Sequence, residues 1–407
     1  MTRLAAVVVG AGPAGSVAAL VLARAGVAVR LVDRSCFPRD KLCGDTLNPG
    51  ALSILDRLGV GTRVRERAIP IGGMVVTGPF GARVACDYPD GLAGAAISRR
   101  DLDALLLDAA VSAGAEFVPS TSVDGPLRAD GGARVSGVRV GHATRDRSMP
   151  ARIVIAADGR RSKLASALGL TGYTATPRRW AFGAYFTDVA DVTSHGEMHI
   201  RSDGYTGVAP LAGNLTNVCV VRELASARHG AHATGGETLA HALADNPDLR
   251  ARFARARQVS AVTSLGPLAV EARSAGCSGL LLAGDAAGFV DPMTGDGLRF
   301  ALRGGELAAE AALFELETGI AAHAQLHASR HREFSSKWRV NRALRSLVAS
   351  PRGVQVAATV ATHWSAPVRF LIGVAGDVGL ARRAQLSVEA GGARAPHREG
   401  MGGGRPA

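Results

Sequence analysis

Three closely spaced glycines carry the strongest chemical signal in this sequence. Gly10, Gly12 and Gly15 occur in the run Gly10-Ala-Gly-Pro-Ala-Gly15, which also contains Pro13 and Ala14. Gly10 permits a tight turn, Gly12 lets the backbone approach a pyrophosphate, and Gly15 allows a helix to pack closely on a strand. Free N–H groups at the start of that helix attract phosphates. The run therefore predicts a dinucleotide-binding turn.

A carboxylate and an arginine follow this turn at the end of the next predicted strand. Asp33 is placed to accept hydrogen bonds from a ribose diol, and Arg34 suits the 2′-phosphate of NADP. The elements that position them are a strand over Leu4 to Val9, a helix over Ser16 to Arg24 and a strand over Val27 to Val32. Together they form a complete βαβ unit of about 30 residues, which makes the glycine motif specific.

A second carboxylate, Asp285, follows Gly284 at the end of a strand predicted over Ser278 to Ala283. A carboxylate at a strand end is suited to bind the ribityl hydroxyls of a flavin. A long helix predicted from Gly297 directs its positive end at the flavin ring, where negative charge develops on reduction. This signature favours a flavin dinucleotide over NADP. The same segment supplies two further candidate flavin-binding residues, Pro292 and Gly295.

A third signature lies between these two. The run Ala157-Asp158-Gly159-Arg-Arg-Ser162 follows a strand predicted over Arg152 to Ala156. Asp-Gly favours a turn, and Ser162 is a good N-cap, so the run predicts a strand, a turn and a helix. Asp158 is the third candidate carboxylate of the site.

The middle of the chain predicts a second domain built on a sheet. Strand-like segments alternate from residue 180 to residue 223. Residues 74–77 and 83–86 predict a small pair of antiparallel strands. The four alternating segments are Ala181 to Asp188, Glu197 to Ile200, Gly207 to Leu211 and Asn217 to Arg222. Elsewhere, helices are predicted over residues 48–58, 98–113, 297–317 and 320–350, and strands over residues 116–118, 135–140 and 152–156.

Composition excludes several classes of protein. Of the 407 residues, 47% are hydrophobic and 20% are charged, which suits a globular protein with a sizeable core. The net charge of +12 comes from scattered arginines and only 4% of residues are aromatic, so we expect no nucleic-acid binding. Five cysteines without a CxxC motif favour a reducing cytoplasm and argue against disulfides and a metal site.

These motifs resemble those of the FAD-dependent para-hydroxybenzoate hydroxylase-fold superfamily over roughly residues 4–320. The resemblance rests on GAGPAG at 10–15, Arg99 ahead of Leu102-Asp103 and Leu105, ADGRRS at 157–162 and GDAAG at 284–288. It implies one bound FAD, with Arg99 near the diphosphate, Asp158 near the nicotinamide or flavin side and Asp285 on the ribityl chain. It also implies NAD(P)H as the electron donor, docking transiently. Asp33 departs from the family, in which glutamate is more frequent.

Two runs are similar to the geranylgeranyl reductase branch of this superfamily. They are Phe37-Pro-Arg-Asp-Lys-Leu-Cys-Gly-Asp45 and Pro292-Met-Thr-Gly-Asp-Gly-Leu-Arg-Phe-Ala301. In these reductases the KxCG loop lies against the flavin, so Lys41 and Gly44 are cofactor candidates and Cys43 is a candidate catalytic residue. The alternative for Cys43 is a small buried hydrophobe in a tight loop.

An aromatic run typical of prenyl reductases is only partly present. Tyr205 and Pro210 are kept, whereas the expected tryptophan and phenylalanine are missing. Tyr205 is therefore the second catalytic candidate, and we expect a pocket of a different shape. The paired tryptophans of flavin halogenases are absent, which argues against halogenation.

The resemblance implies an α/β fold in which two domains are interleaved. We expect a Rossmann-like FAD-binding domain from residues 1–72, 97–170 and 272–330, and a substrate-binding β-sheet domain from residues 73–96 and 171–271. Residues 331–387 are expected to form a C-terminal helical region. Residues 388–407 are rich in Gly, Arg and Pro and predict a disordered tail.

Three functions are compatible with this sequence. The leading interpretation is a reductase that transfers hydride from reduced FAD to a carbon–carbon double bond of an apolar isoprenoid, quinone or polyketide-like substrate. The alternative is an NAD(P)H-dependent flavin monooxygenase that hydroxylates or epoxidises an apolar or aromatic substrate. A non-catalytic prenyl-binding escort is disfavoured, because such a protein has no need for intact flavin motifs.

The C-terminal segment from Pro351 to Gly376 is apolar with few charges, but His363, Pro367 and Arg369 interrupt it. It does not resemble a membrane span. It predicts either helices that pack on the FAD domain or peripheral membrane contact, which a lipidic substrate would explain. We expect a cytoplasmic protein, with the inner membrane face as the place of any such contact. The sequence makes no prediction about oligomeric state.

Overall fold

The computed structural model describes residues 4–129, 131–141, 147–173, 179–223, 234–289, 291–348 and 350–382. The tail predicted over residues 388–407 lies outside the described residues. The helices in the described ranges are α1 (Pro13–Arg24), α2 (Pro49–Arg57), α3 (Gly61–Arg65), α4 (Arg99–Ser112), α5 (Lys163–Ala167), α6 (Gly235–Ala244), α7 (Pro247–Phe253), α8 (Gly297–Thr318), α9 (His323–Val348), α10 (Pro351–His363) and α11 (Ala366–Ala375).

The strands in the same ranges are β1 (Leu4–Val9), β2 (Val29–Val32), β3 (Thr46–Leu47), β4 (Ile69–Ile71), β5 (Gly73–Thr77), β6 (Arg83–Asp87), β7 (Gly94–Ala96), β8 (Glu116–Val118), β9 (Ser122–Arg128), β10 (Val135–Gly141), β11 (Arg147–Ala156), β12 (Thr171–Tyr173), β13 (Arg179–Thr187), β14 (His195–Arg201), β15 (Gly204–Leu211), β16 (Leu215–Glu223), β17 (Arg257–Gln258), β18 (Thr263–Leu265), β19 (Val270–Ala272), β20 (Gly276–Cys277) and β21 (Leu280–Leu282). The predicted elements occur within a few residues of their expected bounds.

The first sheet brings the three motifs to one edge. Its order is β20-β21-β11-β1-β2-β8, and β21, β11, β1, β2 and β8 are parallel. Val9 pairs with both Ala156 and Val32, so the turns after β1, β2 and β11 begin side by side. β21 pairs with β11 and adds the turn that contains Asp285. Ligands bind at the carboxyl ends of parallel strands, where these turns lie.

Three helices cover one face of this sheet, and α1 is packed between the other two. α1 crosses α8 at very short range. A Cβ atom added to Gly305 of α8 would lie 2.4 Å from the backbone oxygen of Ala14, so only glycine fits there. Leu20, Leu102 and Leu302 are fully buried in the resulting core. The close contact fixes the start of α1 relative to α8.

The second sheet has the order β17-β13-β16-β15-β14-β5-β6, and β18 also pairs with β13. Its pairs are antiparallel except for β14 with β5. One face packs Phe186, Val218 and Val220 against Leu239 and Leu249 of α6 and α7. Because side chains alternate along a strand, the other face is free to form the wall of a cavity.

Helix α9 and the residue Asp377 beyond α11 are joined to the start of α8 by buried and partly buried ion pairs. The Lys337 ammonium on α9 lies 2.6 Å from Asp296 Oδ1, which also accepts a hydrogen bond from Asn48 Nδ2 at 3.1 Å. Arg299 of α8 binds Glu333 of α9 and Asp377 beyond α11, each at 2.6 Å. None of the described helices combines the length and the apolar character needed to cross a bilayer.

Candidate functional site

The glycine turn has the geometry that the sequence predicts. Gly10 has a φ of +97°, a value that disfavours any other residue, and a Cβ there would lie 2.4 Å from the backbone oxygen of Ala157. A Cβ at Gly15 would lie 1.8 Å from the backbone oxygen of Gly10. α1 begins at Pro13 with no side chain capping its first turn, so its N–H groups are free for an anionic ligand.

Asp33 anchors this turn as well as facing the site. Its Oδ2 accepts a hydrogen bond from the backbone N–H of Ala11 and its Oδ1 accepts one from that of Ser35, both at 2.8 Å. A carboxylate has further lone pairs, so these bonds leave acceptor capacity for a ribose hydroxyl. Arg34 is exposed at the end of β2.

Arginine and lysine side chains gather over the glycine turn. Arg99 is buried and donates to both oxygens of Asp103, at 2.7 and 2.8 Å, and Arg39 lies 3.2 Å from the same carboxylate. The position of a Cβ on Gly12 would be 3.6 Å from Arg39 Nη2 and 3.9 Å from Arg99 Nη2. Burial lowers the pKa of Arg99, but the Asp103 carboxylate more than offsets it and the net pKa is raised. The Arg99 guanidinium therefore stays charged.

Lys41 belongs to the same group of cations. Burial, and then the neighbouring Arg99 charge, lower the pKa of its ammonium below the usual value. Lys41 has no hydrogen-bond partner among the described residues, although it lines the cavity beside Gly12 and Asp285. An unpartnered, partly desolvated cation at this place is suited to an anionic group that the protein itself does not supply.

The turn after β21 presents the second predicted carboxylate. The carboxylate of Asp285 lines the cavity and forms no hydrogen bond with another described residue, whereas its backbone oxygen accepts the N–H of Gly288 at 3.1 Å. Gly284 has a φ of +59°, and its Cα faces Ala14 at the start of α1. Gly295 and Gly297 line the same cavity, and Pro292 begins the short 3-10 turn before them. α8 starts without a side-chain cap, because the carboxylate of Asp296 binds Lys337 instead.

Asp158 lies beside the cavity rather than in its lining. Its Oδ2 accepts the backbone N–H of Lys163 at 3.0 Å and caps α5, as does the predicted cap Ser162 with the N–H of Ala165. Its Oδ1 is buried without a hydrogen-bond partner. Burial raises the pKa of this carboxyl. The flanking residues Ala157 and Gly159 line the cavity.

The loop that contains Lys41 and Cys43 is clamped onto the second sheet. Asn217 Nδ2 donates to the backbone oxygen of Cys43 at 2.9 Å and to Asp45 Oδ2 at 2.5 Å. The Tyr185 hydroxyl donates to the same Asp45 oxygen at 2.8 Å. Both partners project from the cavity-side face of their strands. The clamp places the Cys43 thiol and the exposed Gly44 in the lining of the cavity.

Asp45 is the most unusual carboxyl in this clamp. It is fully buried, has a φ of +53°, and its Oδ1 has no hydrogen-bond partner. Burial raises its pKa to about 7, although the bonds from Tyr185 and Asn217 act in the opposite direction. Asp45 therefore gains and loses its proton near neutral pH.

The thiols of Cys43 and Cys219 both line the cavity and hold their protons. Burial raises the pKa of Cys43, and the nearby Arg99 charge only partly offsets it. Burial, and then the neighbouring Cys43 and Asp45, raise the pKa of Cys219 to about 12. Both side chains line the cavity. They present neutral S–H groups there at physiological pH.

Tyr205 forms part of the wall, and its hydroxyl is occupied. The hydroxyl donates to Asp291 Oδ1 at 2.5 Å, and Arg179 lies 3.2 Å from the other oxygen of Asp291. Burial, and then the Asp291 charge, raise the pKa of Tyr205 well above its usual value. The ring lines the cavity while the hydroxyl ties β15 to the segment before α8.

One cavity is lined by residues from all of these segments. Its lining includes the glycine turn, Cys43 and the inner faces of α10 and α11. Beyond the cations its walls are mainly apolar, and they come from the second sheet and the C-terminal helices. The apolar lining includes Met74, Val76, Ala181, Met198, Ile200, Val221, Leu268, Phe289, Met293, Val354, Ala358, Leu371 and Ile372.

The unpartnered groups of this site fit FAD. The uncapped start of α1, with Arg39, Arg99 and Lys41, suits a diphosphate. Asp285 suits ribityl hydroxyls, and the uncapped start of α8 suits an anionic ring. The described residues contain no cluster of side chains arranged for a metal ion. The fold and the site together define a flavoprotein.

Comparison with known proteins agrees with this geometry. The model of the FAD binding domain family matches residues 3–342, and the chain belongs to this family of FAD-dependent oxidoreductases. A menaquinone reductase of Mycolicibacterium smegmatis is 31% identical over 400 residues, which cover 93% of this chain and 92% of the relative. A digeranylgeranylglycerophospholipid reductase of Methanosarcina mazei is 28% identical over 82% of this chain and 79% of the relative. The predicted kinship with geranylgeranyl reductases is confirmed.

Solved structures share the fold. CmlS, a flavin-dependent halogenase, superposes with a TM-score of 0.77 and 22% identity, covering 96% of this chain and 78% of its own. A geranylgeranyl bacteriochlorophyll reductase-like protein from Thermoplasma acidophilum gives 0.75 and 20% identity, covering 88% and 91%. The predicted para-hydroxybenzoate hydroxylase-type fold and the FAD cofactor are confirmed. The same fold serves different flavin chemistries.

Sequence reasoning missed part of the site. Tyr185, Asn217 and Cys219 lie on antiparallel strands far from any motif, and no local spacing indicates that they meet the KLCGD loop. Asp45 and Arg39 lie inside that loop, and the sequence shows both as charged residues of the motif. The burial of Asp45 follows from the three-dimensional packing of the loop on the second sheet, which the sequence does not show.

Proposed function

We propose that this flavoprotein reduces a carbon–carbon double bond in the isoprenoid chain of a quinone or a related lipid. The observation that carries the proposal is one mainly apolar cavity, lined both by the candidate flavin-binding turns and by apolar side chains of the second sheet, α10 and α11. The names of two relatives, a menaquinone reductase and a digeranylgeranylglycerophospholipid reductase, refer to molecules with long prenyl chains. The cavity and the names of the relatives both support a substrate with a long apolar chain.

FAD, when bound and reduced, supplies a hydride to one carbon of the double bond, and we propose NAD(P)H as the source of both electrons. The protein must then supply one proton to the other carbon and exclude water and oxygen. The balanced reaction consumes NAD(P)H, a proton and the alkene, and it yields NAD(P)⁺ and the saturated chain.

Cys43 and Asp45 are the groups that we propose for the proton. The neutral Cys43 thiol faces the cavity, so it holds a proton where the substrate lies. Asp45 titrates near neutral pH directly behind it and restores that proton between turnovers. Asn217 positions both residues, because its amide binds the backbone of Cys43 and the carboxyl of Asp45. Tyr205 shapes the wall, since its hydroxyl is committed to Asp291.

The proposal is tested by mass-difference analysis. Chemically reduced holoenzyme is incubated with a lipid extract of its host, with and without oxygen, and with oxidised holoenzyme as the control. Lipids that gain two hydrogens in the absence of oxygen, and keep them when the product is later exposed to air, are the expected result. Lipids that gain one oxygen atom, and only aerobically, would instead establish the monooxygenase that the sequence leaves open.

A further inference from the structure

The outer face of the C-terminal helices is unusually apolar. Ten large apolar side chains are exposed in the described part of the chain, and six of them belong to this region. Phe80, Trp364 and Phe370 are 71%, 64% and 70% exposed. The other three are Leu347, Val356 and Val360. We call these six residues the apolar face.

The six residues lie on adjoining segments. Val356, Val360 and Trp364 are spaced four residues apart along α10 and its C-terminal end, so they form one stripe. The turn that holds Phe80 packs against α10, where a Cβ on Gly78 would lie 3.6 Å from that of Ala358. Phe370 is on α11, which follows α10 directly. An apolar patch of this kind on a surface exposed to water is typical of an interaction site.

The same two helices form the end wall of the substrate cavity. Val354, Ala358 and Ala361 of α10 line the cavity from the side opposite the apolar stripe. Leu371 and Ile372 of α11 do so next to the exposed Phe370. Leu347 of the apolar face also lines the cavity, and elsewhere one layer of helix separates the two. A substrate that resides in lipid would cross the shortest distance at this place.

The charged residues within α10 and α11 have one sign. Residues 351–375 contain Arg352 and Arg369 but no aspartate or glutamate. Arg83, at the mouth of the cavity, is also exposed, and none of these three forms an ion pair with another described residue. The nearby exposed Asp87 is engaged by His195 at 2.7 Å. Arginines around apolar side chains are the chemistry that recognises anionic lipid headgroups.

We propose that the apolar face docks α10 and α11 on an anionic lipid bilayer, so that the substrate chain enters the cavity from the membrane. The role in substrate entry rests on the proposed function, whereas the docking itself does not. Phe80, Trp364 and Phe370 insert between headgroups, and Arg83, Arg352 and Arg369 bind the phosphates. A second copy of this chain is the competing occupant of the face.

The experiment uses the full-chain holoenzyme and vesicles without substrate. Vesicles of phosphatidylglycerol with phosphatidylcholine are compared with phosphatidylcholine alone by co-sedimentation. We expect at least tenfold tighter partitioning to the anionic vesicles, with a blue shift of Trp364 fluorescence that Trp364→Phe removes. Phe370→Ser and the pair Arg352→Glu with Arg369→Glu should each weaken partitioning about tenfold. Val259→Ser, which changes an exposed valine elsewhere, should leave it unchanged.

Three outcomes would overturn the proposal. They are no co-sedimentation of the wild type, equal loss in Val259→Ser, and a lipid-free dimer that Phe370→Ser dissociates, which would assign the face to a second copy. Reduction of a short, water-soluble prenyl substrate is measured in parallel. Vesicle binding without any reduction would refute the proposed function alone, and reduction without vesicle binding would refute the docking alone.

Discussion

At the residue scale, the acidic and basic groups of the site fall into two sets. Arg39, Arg99 and Lys41 lie near the glycine turn, whereas the carboxylate of Asp285 lies on the neighbouring turn with no partner among the described residues. Arg99 stays charged because Asp103 compensates for its burial. A ligand must bind those charged groups of each set that have no partner among the described residues. FAD offers a diphosphate for the cations and a ribityl chain for Asp285.

Asp285→Ala is expected to purify with much less flavin. The variant removes the carboxylate that faces the cavity after β21 while leaving the cations over the glycine turn in place. The ratio of flavin to protein absorbance measures the loss. Asp203→Ala, which removes an exposed carboxylate on the hairpin between β14 and β15, is the matched control and should keep its full flavin content. Retention of flavin by Asp285→Ala would show that the ribityl site lies elsewhere.

The raised pKa of Asp45 predicts how stability depends on pH. Its folded-state pKa of about 7 lies above the usual 3.8, so the folded protein binds the proton more tightly than the unfolded chain. Holoenzyme stability should therefore fall as the pH rises from about 4 to 7, by roughly 4 kcal/mol from this group. Urea unfolding at several pH values measures it. Asp45→Asn should flatten this part of the profile, and an unchanged slope would mean that Asp45 is already ionised at pH 5.

The thiol of Cys43 is expected to matter for turnover more than for packing. Cys43→Ala should lower kcat by about 10²-fold, the lower range for loss of a positioned acid, with flavin content unchanged. Cys219→Ala is the matched control, because Cys219 lines the same cavity and also keeps its proton. It should stay within a few-fold of the wild type. If the two substitutions lowered kcat equally, Cys43 would be a packing residue and not the proton donor.

At the element scale, the contact between α1 and α8 determines the direction of both helices. It therefore determines where their N-termini, which have no side-chain cap, face the cavity. Gly305→Ala places a methyl group 2.4 Å from the backbone oxygen of Ala14. It should cost about 1–3 kcal/mol of unfolding free energy and weaken FAD binding, because both helices must shift. Urea unfolding and flavin retention report the two effects.

Gly373→Ala is the control for this prediction. Gly373 lies within α11, and an added Cβ meets no atom within 4 Å. Alanine should therefore be neutral or stabilise the helix by up to about 1 kcal/mol. If Gly305→Ala were equally harmless, the two helices would be packed less tightly than the structure indicates.

The elements themselves were largely predictable from sequence. The valine-rich run before Gly10, the helix after it and the strand ending at Asp33 identify the βαβ unit by composition alone. The strands of the second sheet follow from alternation. Their order does not, because β14 pairs with β5 across more than a hundred residues and no local pattern encodes that pairing. For the same reason the partners of Asp45 were not predictable.

At the scale of the whole molecule, the two sheets and the C-terminal helices enclose one largely apolar cavity. The cations near the glycine turn, the Cys43 thiol and apolar side chains of α10 and α11 all line it. Lys337 binds Asp296 at the start of α8 and the backbone oxygen of Val374 in α11, so this helix of the cavity wall is connected to the start of α8. This arrangement suits a lipid better than a compact polar substrate.

The central claim is reduction of a prenyl chain, and a single-turnover experiment tests it most directly. Reduced holoenzyme is mixed anaerobically with menaquinone, flavin reoxidation is followed by absorbance, and the product is then exposed to air. Air returns a reduced quinone ring to its original mass, but a saturated prenyl bond keeps its two added hydrogens. We predict flavin reoxidation without oxygen and an air-stable product two hydrogens heavier, in a one-to-one ratio to flavin. Flavin that stays reduced until oxygen is admitted, or a product that reverts in air, would contradict the account.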